Sequence, residues 1–477
     1  MTIRPTQHAT FSQIQQGLLF NFGALVRAQE QIASGKRILR PSDDPVGASQ
    51  ALAFRRQIAA AERNKTSVEG ARVMLDTASS ALQDAGGMLA EARAILLQSM
   101  NGTQSTDDRR LFANSISLIR DRMLEIGNAR TGNRYLFAGT STNTAPFVEE
   151  SSGGIQRVRY VGNGEAQEVL VGVDSRLTAT LPGDEVFALK QRTGTEFSSL
   201  TGVNSGTSAD QGTGYVYLQV RQDGTTAAGL AGGMALASTS LDTIVGDHTL
   251  VVDGVAGAMQ LDNGVWTKIP TGPASSLTDV VVENEHGAEV HLDLSAYNGA
   301  SFTATLTGSA SVSIDGASWT AVTFTETDLE LRDPATDTVL HLDTQSLHRS
   351  GVELVTFGGT VSVFDTLQGI VDDLENIHGL EPRELRERLD MWLEELDRNH
   401  ENIQIATGEL GSLSQRSTGL QEAFDDETTQ VRSLLSNVED ADFSQVVLEM
   451  TRAEQTLQLA QSASVRLLQN SLLNFLR

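Results

Sequence analysis

Ser42-Asp43-Asp44-Pro45 is the first place where this sequence could do chemistry, since paired carboxylates can hold a metal ion or act as a general acid and base. The same four residues also fit the start of a helix, with a capping side chain and Pro in the first turn, and we read them so. Just upstream, Lys36 and Arg37 offer two cations, either to carboxylates of a neighbouring subunit or to solvent. His286 and His291 flank one strand-like run, and His341 and His348 flank another. Neither pair has the helix-borne His-x-x-x-His spacing with a Glu that marks a zinc hydrolase. No phosphate-binding Gly loop, nucleophile elbow or dinucleotide fingerprint occurs. The chain has no cysteine, which excludes disulfides, thiolate metal sites, iron–sulfur clusters and a cysteine nucleophile. We therefore expect no enzyme: no catalytic residue, no cofactor and no metal.

The residues must then serve something other than chemistry, and the elements that carry them say what. At 477 residues the chain can bury sizeable cores, and its net charge of −26 disfavours nucleic acid and anionic lipid as partners. No apolar run is long enough to span a bilayer, and the N-terminus has no secretory h-region. Glycine is sparse over 1–150 and 361–477 and dense between, which predicts two helical ends around a β middle. The fold class expected is α+β: a long antiparallel coiled-coil rod built from both chain ends, with an inserted Gly/Thr-rich β region.

The helical prediction rests on spacing. Val68, Ala71, Leu75, Ala78, Leu82, Ala85, Leu89, Ala92 and Leu96 alternate steps of 3 and 4 without a break, as a coiled-coil seam does. Gly102 and Thr103 interrupt it, and Phe112, Ile116, Ile119, Met123 and Ile126 begin a second stripe. A longer seam runs from Leu385 through Trp392, Asn399, Ile403, Leu410, Ser417 and Glu427 to Val438, its polar members suited to setting register. Pairing of this helix with 68–126 is expected. In the middle, 156–160, 168–173, 249–252, 289–294 and 311–314 read as strands. Residues 221–240 are too rich in Gly and Ala to assign. Over 201–300 the only bases are Arg221 and Lys268, which makes this an acidic, solubilising face.

Two more seams lie at the extreme ends: Phe11, Ile14, Leu18, Asn21, Leu25, Ala28 and Ile32, and Phe443, Val446, Met450, Ala453, Leu457, Ala460, Ser464, Leu467 and Ser471. Chain ends are normally frayed and polar. Leu467, Leu468, Leu472, Leu473, Phe475 and Leu476 instead crowd apolar side chains at one, as though another molecule buries them.

Ser34-Gly35-Lys36-Arg37-Ile38, followed by Pro41-Ser42-Asp43-Asp44-Pro45-Val46-Gly47-Ala48, resembles the N-terminal signature of the bacterial flagellin superfamily. The wording is closer to its hook–filament junction members (the FlgL type of hook-associated protein) than to flagellin itself. Glu439-Asp440-Ala441-Asp442 and the ending Ser471-Leu472-Leu473-Asn474-Phe475-Leu476-Arg477 resemble the same members. So do Tyr160-Val161-Gly162-Asn163-Gly164 and Pro182-Gly183-Asp184-Glu185-Val186-Phe187, which look like the family's first β segment. The resemblance covers 1 to about 188 and about 355 to 477, and no family role carries onto the stretch between.

What the resemblance implies is a structural subunit of the flagellum, self-assembling into a ring or tube and joining a neighbouring hook-associated protein to flagellin. It implies export to the cell exterior without a cleaved signal, and a cytoplasmic export chaperone on the C-terminal helix. The expected divisions are an assembly helix and hinge at 1–43, helical halves at 44–145 and 356–439, a β domain at 146–188, an inserted β-rich domain at 189–355, and an assembly helix at 440–477. Leu18, Leu25, Ile32, Leu457, Leu467, Leu472 and Phe475 are the expected assembly interface. Gly35, Lys36, Arg37, Pro41, Ser42, Asp43, Asp44 and Pro45 are the expected hinge. The alternatives are flagellin, the filament subunit, and a surface- or glycan-binding protein acting through 189–355.

Overall fold

In the computed structural model, residues 7–101, 105–152, 155–172, 175–188, 192–237 and 240–475 are described, with side chains excepted at 7–11, 151–156 and 467–475. Seven helices are described: α1 (Gln7–Ser34), α2 (Pro45–Ser99), α3 (Thr106–Gly127), the short α4 (Gly183–Val186), α5 (Val363–Glu375), α6 (Pro382–Glu439) and α7 (Phe443–Phe475). The fold is α+β. The interruption expected at Gly102 and Thr103 lies outside the described residues, between α2 and α3. Ser105 caps α3 in a reciprocal box with Asp108, and Ser362 caps α5 in the same way with Asp365. Asn376, left-handed at φ +53°, closes α5 before α6 starts.

The chain divides into two units. The first comprises Met1–Arg72, Val169–Leu177 and Gln415–Arg477. Within it α1 packs along α7. The part of α2 up to Arg72 runs antiparallel to the part of α6 after Gln415, tied by Arg432 to Glu62 and Lys65 to Asp425 at 2.7 Å and by Gln57 to Glu427 at 2.8 Å. Val68 and Ser417 are fully buried between them, the Ser417 hydroxyl donating to the Val68 carbonyl at 3.4 Å.

The second unit comprises Val73–Glu168 and Thr178–Ser414. Leu75, Ala78, Leu82, Ala85, Leu89, Ala92 and Leu96 of α2 are all fully buried there. They share one core with Ile116 and Met123 of α3, Leu367 and Ile370 of α5, and Leu389, Trp392, Leu396, Ile403 and Leu410 of α6. Phe137, Phe147, Phe187 and Phe364 add a cluster of edge-on and tilted rings. Gly369 of α5 lies directly under Trp392: a Cβ there would come within 2.1 Å of the indole Cζ2.

The rest of this unit is antiparallel sheet. An eight-stranded sheet runs in the order Thr267–Lys268, Ala258–Leu261, Gly246–Asp253, Phe302–Ser313, Tyr215–Ala228, Gly351–Phe357 and Thr195–Phe197, with Thr320–Val322 paired to Phe302–Ser313. Residues 221–240, unassignable from sequence, hold the second half of the Tyr215–Ala228 strand and the short Ala235–Leu236 strand. The strand is hidden by its small residues, and its register shifts opposite Ser309 and Ala310, where Gly224 sits. The run expected at 168–173 is shorter, Glu168–Leu170. Two further apolar cores fill the β region, one around Leu218, Val312 and Leu340 and one around Leu250, Met259 and Val290.

Tyr215 and Tyr217, at the start of the central strand, reach the helices. Tyr215 stands edge-on to Trp392 at 5.1 Å, and the Arg388 guanidinium lies over Tyr217. Beneath them Arg388 and Asp373 form an ion pair at 2.6 Å with both side chains buried, and the Trp392 indole donates to Asp373 at 2.7 Å.

Candidate functional site

Within the first unit the sequence-predicted hinge is built residue by residue. α1 ends at Ser34, and Gly35 takes φ +69°, the left-handed turn that closes a helix and that only Gly adopts without strain. The chain then meets the α6–α7 linker. Lys36 and Asp440 form an antiparallel β-bridge, with Arg37 N–H donating to the Glu439 carbonyl at 2.7 Å and Ala441 N–H to the Gly35 carbonyl at 2.9 Å. The Arg37 guanidinium donates to the Val438 carbonyl at 2.8 Å and pairs with Asp44. The Glu439 side chain is buried, and Lys36 and Arg55 both reach its Oε1. Lys36 and Arg37 thus find their partners inside this chain.

The second half of the motif is a turn and a cap. The Asp43 carboxylate accepts from the Arg40 amide at 2.8 Å, and Asp44 accepts from Gly47 at 2.9 Å, so that Asp44 caps α2 and Pro45 is its first residue. The Gly47 amide, followed by Arg37, holds the Asp44 carboxyl below its ordinary range. Pro41, Ser42 and Asp43 are exposed, and within Ser42-Asp43-Asp44-Pro45 the cap is Asp44. Asp442 caps α7 in turn, accepting from Ser444 at 2.9 Å and Gln445 at 3.2 Å.

Along the α1–α7 pair, Leu18, Leu25, Ile32 and Leu457 are half-buried and Ala28 is buried. The side chains of Leu467, Leu472 and Phe475, and Leu476 entirely, lie outside the described residues. Heptad counting missed a second set. Leu19, Phe20 and Phe22 of α1 and Leu448, Leu459 and Val465 of α7 are largely exposed. For all but Leu448, which lies two residues from Val446 and Met450, the signal was present as apolar residues one step beside the seam, which make the apolar face wider than one partner helix covers.

Among the described residues no group of three or more His, Asp or Glu side chains is placed to hold a metal ion. His291 pairs with Asp279 at 2.6 Å, the His286 and His348 rings meet tilted with centroids 4.2 Å apart, and His341 lies 3.5 Å from Asp328. No described helix is long and apolar enough to cross a membrane.

Residues 8–142 match the bacterial flagellin N-terminal helical region. The flagellar hook-associated protein 3 of Escherichia coli K12 is 32% identical over 178 residues, 37% of this chain and 54% of that protein. Its counterpart in Salmonella typhimurium LT2 is 29% identical over 188 residues, 39% of this chain and 57% of that protein. The chain therefore spans a little over half the length of these relatives. A crystal structure of Xanthomonas campestris FlgL aligns at a TM-score of 0.43 and 19% identity, covering 80% of this chain and 99% of that one.

Proposed function

We propose that this chain, a flagellin-superfamily protein by residues 8–142, is a structural subunit of the bacterial flagellum that joins a hook-associated protein to the flagellin filament. The observation that carries this reading is the α1–α7 pair. Helices from opposite ends of the chain meet, half-bury Leu18, Leu25, Ile32 and Leu457, and leave Leu19, Phe20, Phe22, Leu448, Leu459 and Val465 open. Copies of the same chain would cover that surface in a ring or tube. On this reading 1–43 and 440–477, with Leu467, Leu472 and Phe475, are assembly segments around the 35–45 hinge. The segments 44–145 and 356–439 form a coiled coil, 146–188 is the β domain, and 189–355 is an inserted β-rich domain.

The protein works outside the cell and does no enzymatic chemistry. It leaves without a cleaved signal, its C-terminal helix covered until then by a cytoplasmic chaperone. Subunit packing covers the apolar surface that the α1–α7 pair leaves open.

Deleting the gene in the source bacterium tests the role. Hooks should remain, flagellin should pass into the medium, and filaments should be absent. The full chain should restore filaments, and a chain lacking 1–34 and 443–477 should not. Normal filaments in the deletion strain would remove the reading. A copy number matching the bulk filament subunit would favour flagellin instead.

A further inference from the structure

We infer that Glu439 is a positioning residue for assembly: it locks the α1–α2 and α6–α7 linkers together, so that α1 and α7 meet neighbouring subunits as one preset pair. This rests on the assembly role proposed above.

Glu439 stands where local preference would not put it. It is the last residue of α6, where the helix dipole disfavours negative charge, and it is 4% exposed, where an unpaired carboxylate is costly. Its place makes sense only through its partners. Lys36 comes from the first linker and Arg55 from α2, 403 and 384 residues away in sequence, and both converge on the same Oε1. Three separate segments are thereby tied at one atom.

The backbone could not hold this arrangement alone. The bridge between the linkers consists of two hydrogen bonds, Arg37 to Glu439 and Ala441 to Gly35, and a strand pair that short is marginal in water. A buried, doubly charge-assisted carboxylate supplies the missing restraint, because opening the bridge would leave the desolvated Glu439 without the two half-exposed cations that compensate it. Arg37, spanning the Val438 carbonyl and Asp44, extends the tie to the cap of α2. The direction in which α1 and α7 leave the linkers is then set by side chains of the same chain, before any neighbour arrives.

The absence of cysteine makes the test direct. Cysteines at the exposed Ser34 and Ser444 take spin labels on either side of the bridge in the full-length monomer, and pulsed EPR reads their separation. Without further change a single narrow distribution is expected. Glu439→Gln should at least double its width and raise the protein concentration needed for sedimentable assemblies by about tenfold, the loss expected for one strong charge-assisted contact. Glu422→Gln, an exposed acid of α6, should alter neither readout.

An unchanged distribution in Glu439→Gln overturns the proposal. So does a broadened distribution with an unchanged assembly threshold, since the restraint would then not position the helices. If the unsubstituted chain never assembles while Glu439→Gln still broadens the distribution, the assembly reading falls and the restraint stands. Should Glu439→Gln lose its helix content, Lys36→Met and Arg55→Met, which keep the carboxylate and the backbone bridge, carry the same test. Neither of these broadening the distribution would overturn the proposal.

Discussion

Replacing Leu19, Phe20 and Phe22 together by Gln tests whether the open face of α1 drives assembly. Gln keeps nearly the helix propensity of Leu, so the monomer should retain α1. The three side chains are 66, 78 and 56% exposed. Together they leave about two full side chains of apolar surface to be covered, roughly 4 kcal/mol at about 2 kcal/mol for each fully buried Leu or Phe. Ordering three side chains at an interface returns about 2 kcal/mol of that. The remainder, about 2 kcal/mol per subunit, corresponds to a roughly 30-fold higher protein concentration at the onset of assembly. Sedimentation of the full chain over a concentration series measures it, with circular dichroism confirming an unchanged monomer. Val255→Gln, at 96% exposure in the β region, is the matched control and should leave the threshold where it is. A triple variant with normal helix content and an unchanged threshold would refute the reasoning, because the most exposed apolar side chains of α1 would then face solvent in the assembly as well.

Four further outcomes follow from the second unit. Burial pushes the Asp372 carboxyl up to about 6 from 3.8, so the folded chain holds an extra proton between those values; the stability this gives is present below pH 3.8 and lost as pH rises through 6. Asp372→Asn should therefore stabilise at pH 7.5 by up to about 3 kcal/mol and do nothing at pH 3.5, as read from denaturant unfolding at both pH values. Arg388→Met leaves Asp373 buried without its cation and should cost about 3–5 kcal/mol, and adding Asp373→Asn should recover much of it; a double-mutant cycle with no coupling would sink the idea. Gly369→Ala drives a methyl group into Trp392 and should lower stability by about 1–3 kcal/mol, visible as a fall in Tm, whereas a helix-propensity effect alone would raise it. Asn399→Leu should stabilise by about 1 kcal/mol, since it removes a buried Oδ1 that has no partner while the Thr366 hydroxyl keeps its bond to the Ser362 carbonyl; a lower denaturant midpoint would contradict this.

The helices were legible because their burial is periodic: each residue of the Val68–Leu96 seam picked out by spacing is essentially inaccessible to solvent. The hinge motif was legible as a turn and a cap, since the Asp43 and Asp44 carboxylates accept from amides three or four residues away and Pro45 opens the helix. Its partner was not. Glu439 is one acid among Glu439, Asp440 and Asp442, and nothing local marks it as the one that is buried. Of the long Tyr215–Ala228 strand, Tyr215–Val220 is strongly β-prone and was readable; only the second half was hidden, since Gly224, Ala227 and Ala228 carry little β signal and their strand character comes from the Phe302–Ser313 strand beside them. At the chain ends a one-seam template found Leu18 and Leu25 but passed over Leu19, Phe20 and Phe22, because these exposed side chains lie outside the stripe that one partner helix uses.

A seam of alternating Leu and Ala carries a further problem, which the polar residues answer. Shifted by seven residues, Leu75 to Leu96 would present almost the same face, so apolar packing alone cannot fix where α6 lies along α2. Groups that do not repeat must decide it. In the second unit Arg93 meets Asp397 at 2.7 Å, and Asn399 reaches from α6 to the Thr366 hydroxyl of α5 at 3.0 Å. In the first, Ser417 bonds the Val68 carbonyl, Lys65 meets Asp425, and Glu439 closes the series on Lys36 and Arg55. A slip of one heptad would break each pair, and at Asn399 and Glu439 it would leave a buried polar group with nothing to meet. The stability cost of placing Asn399, Ser417 and Glu439 in buried positions is thus the physical condition for a single register of α6.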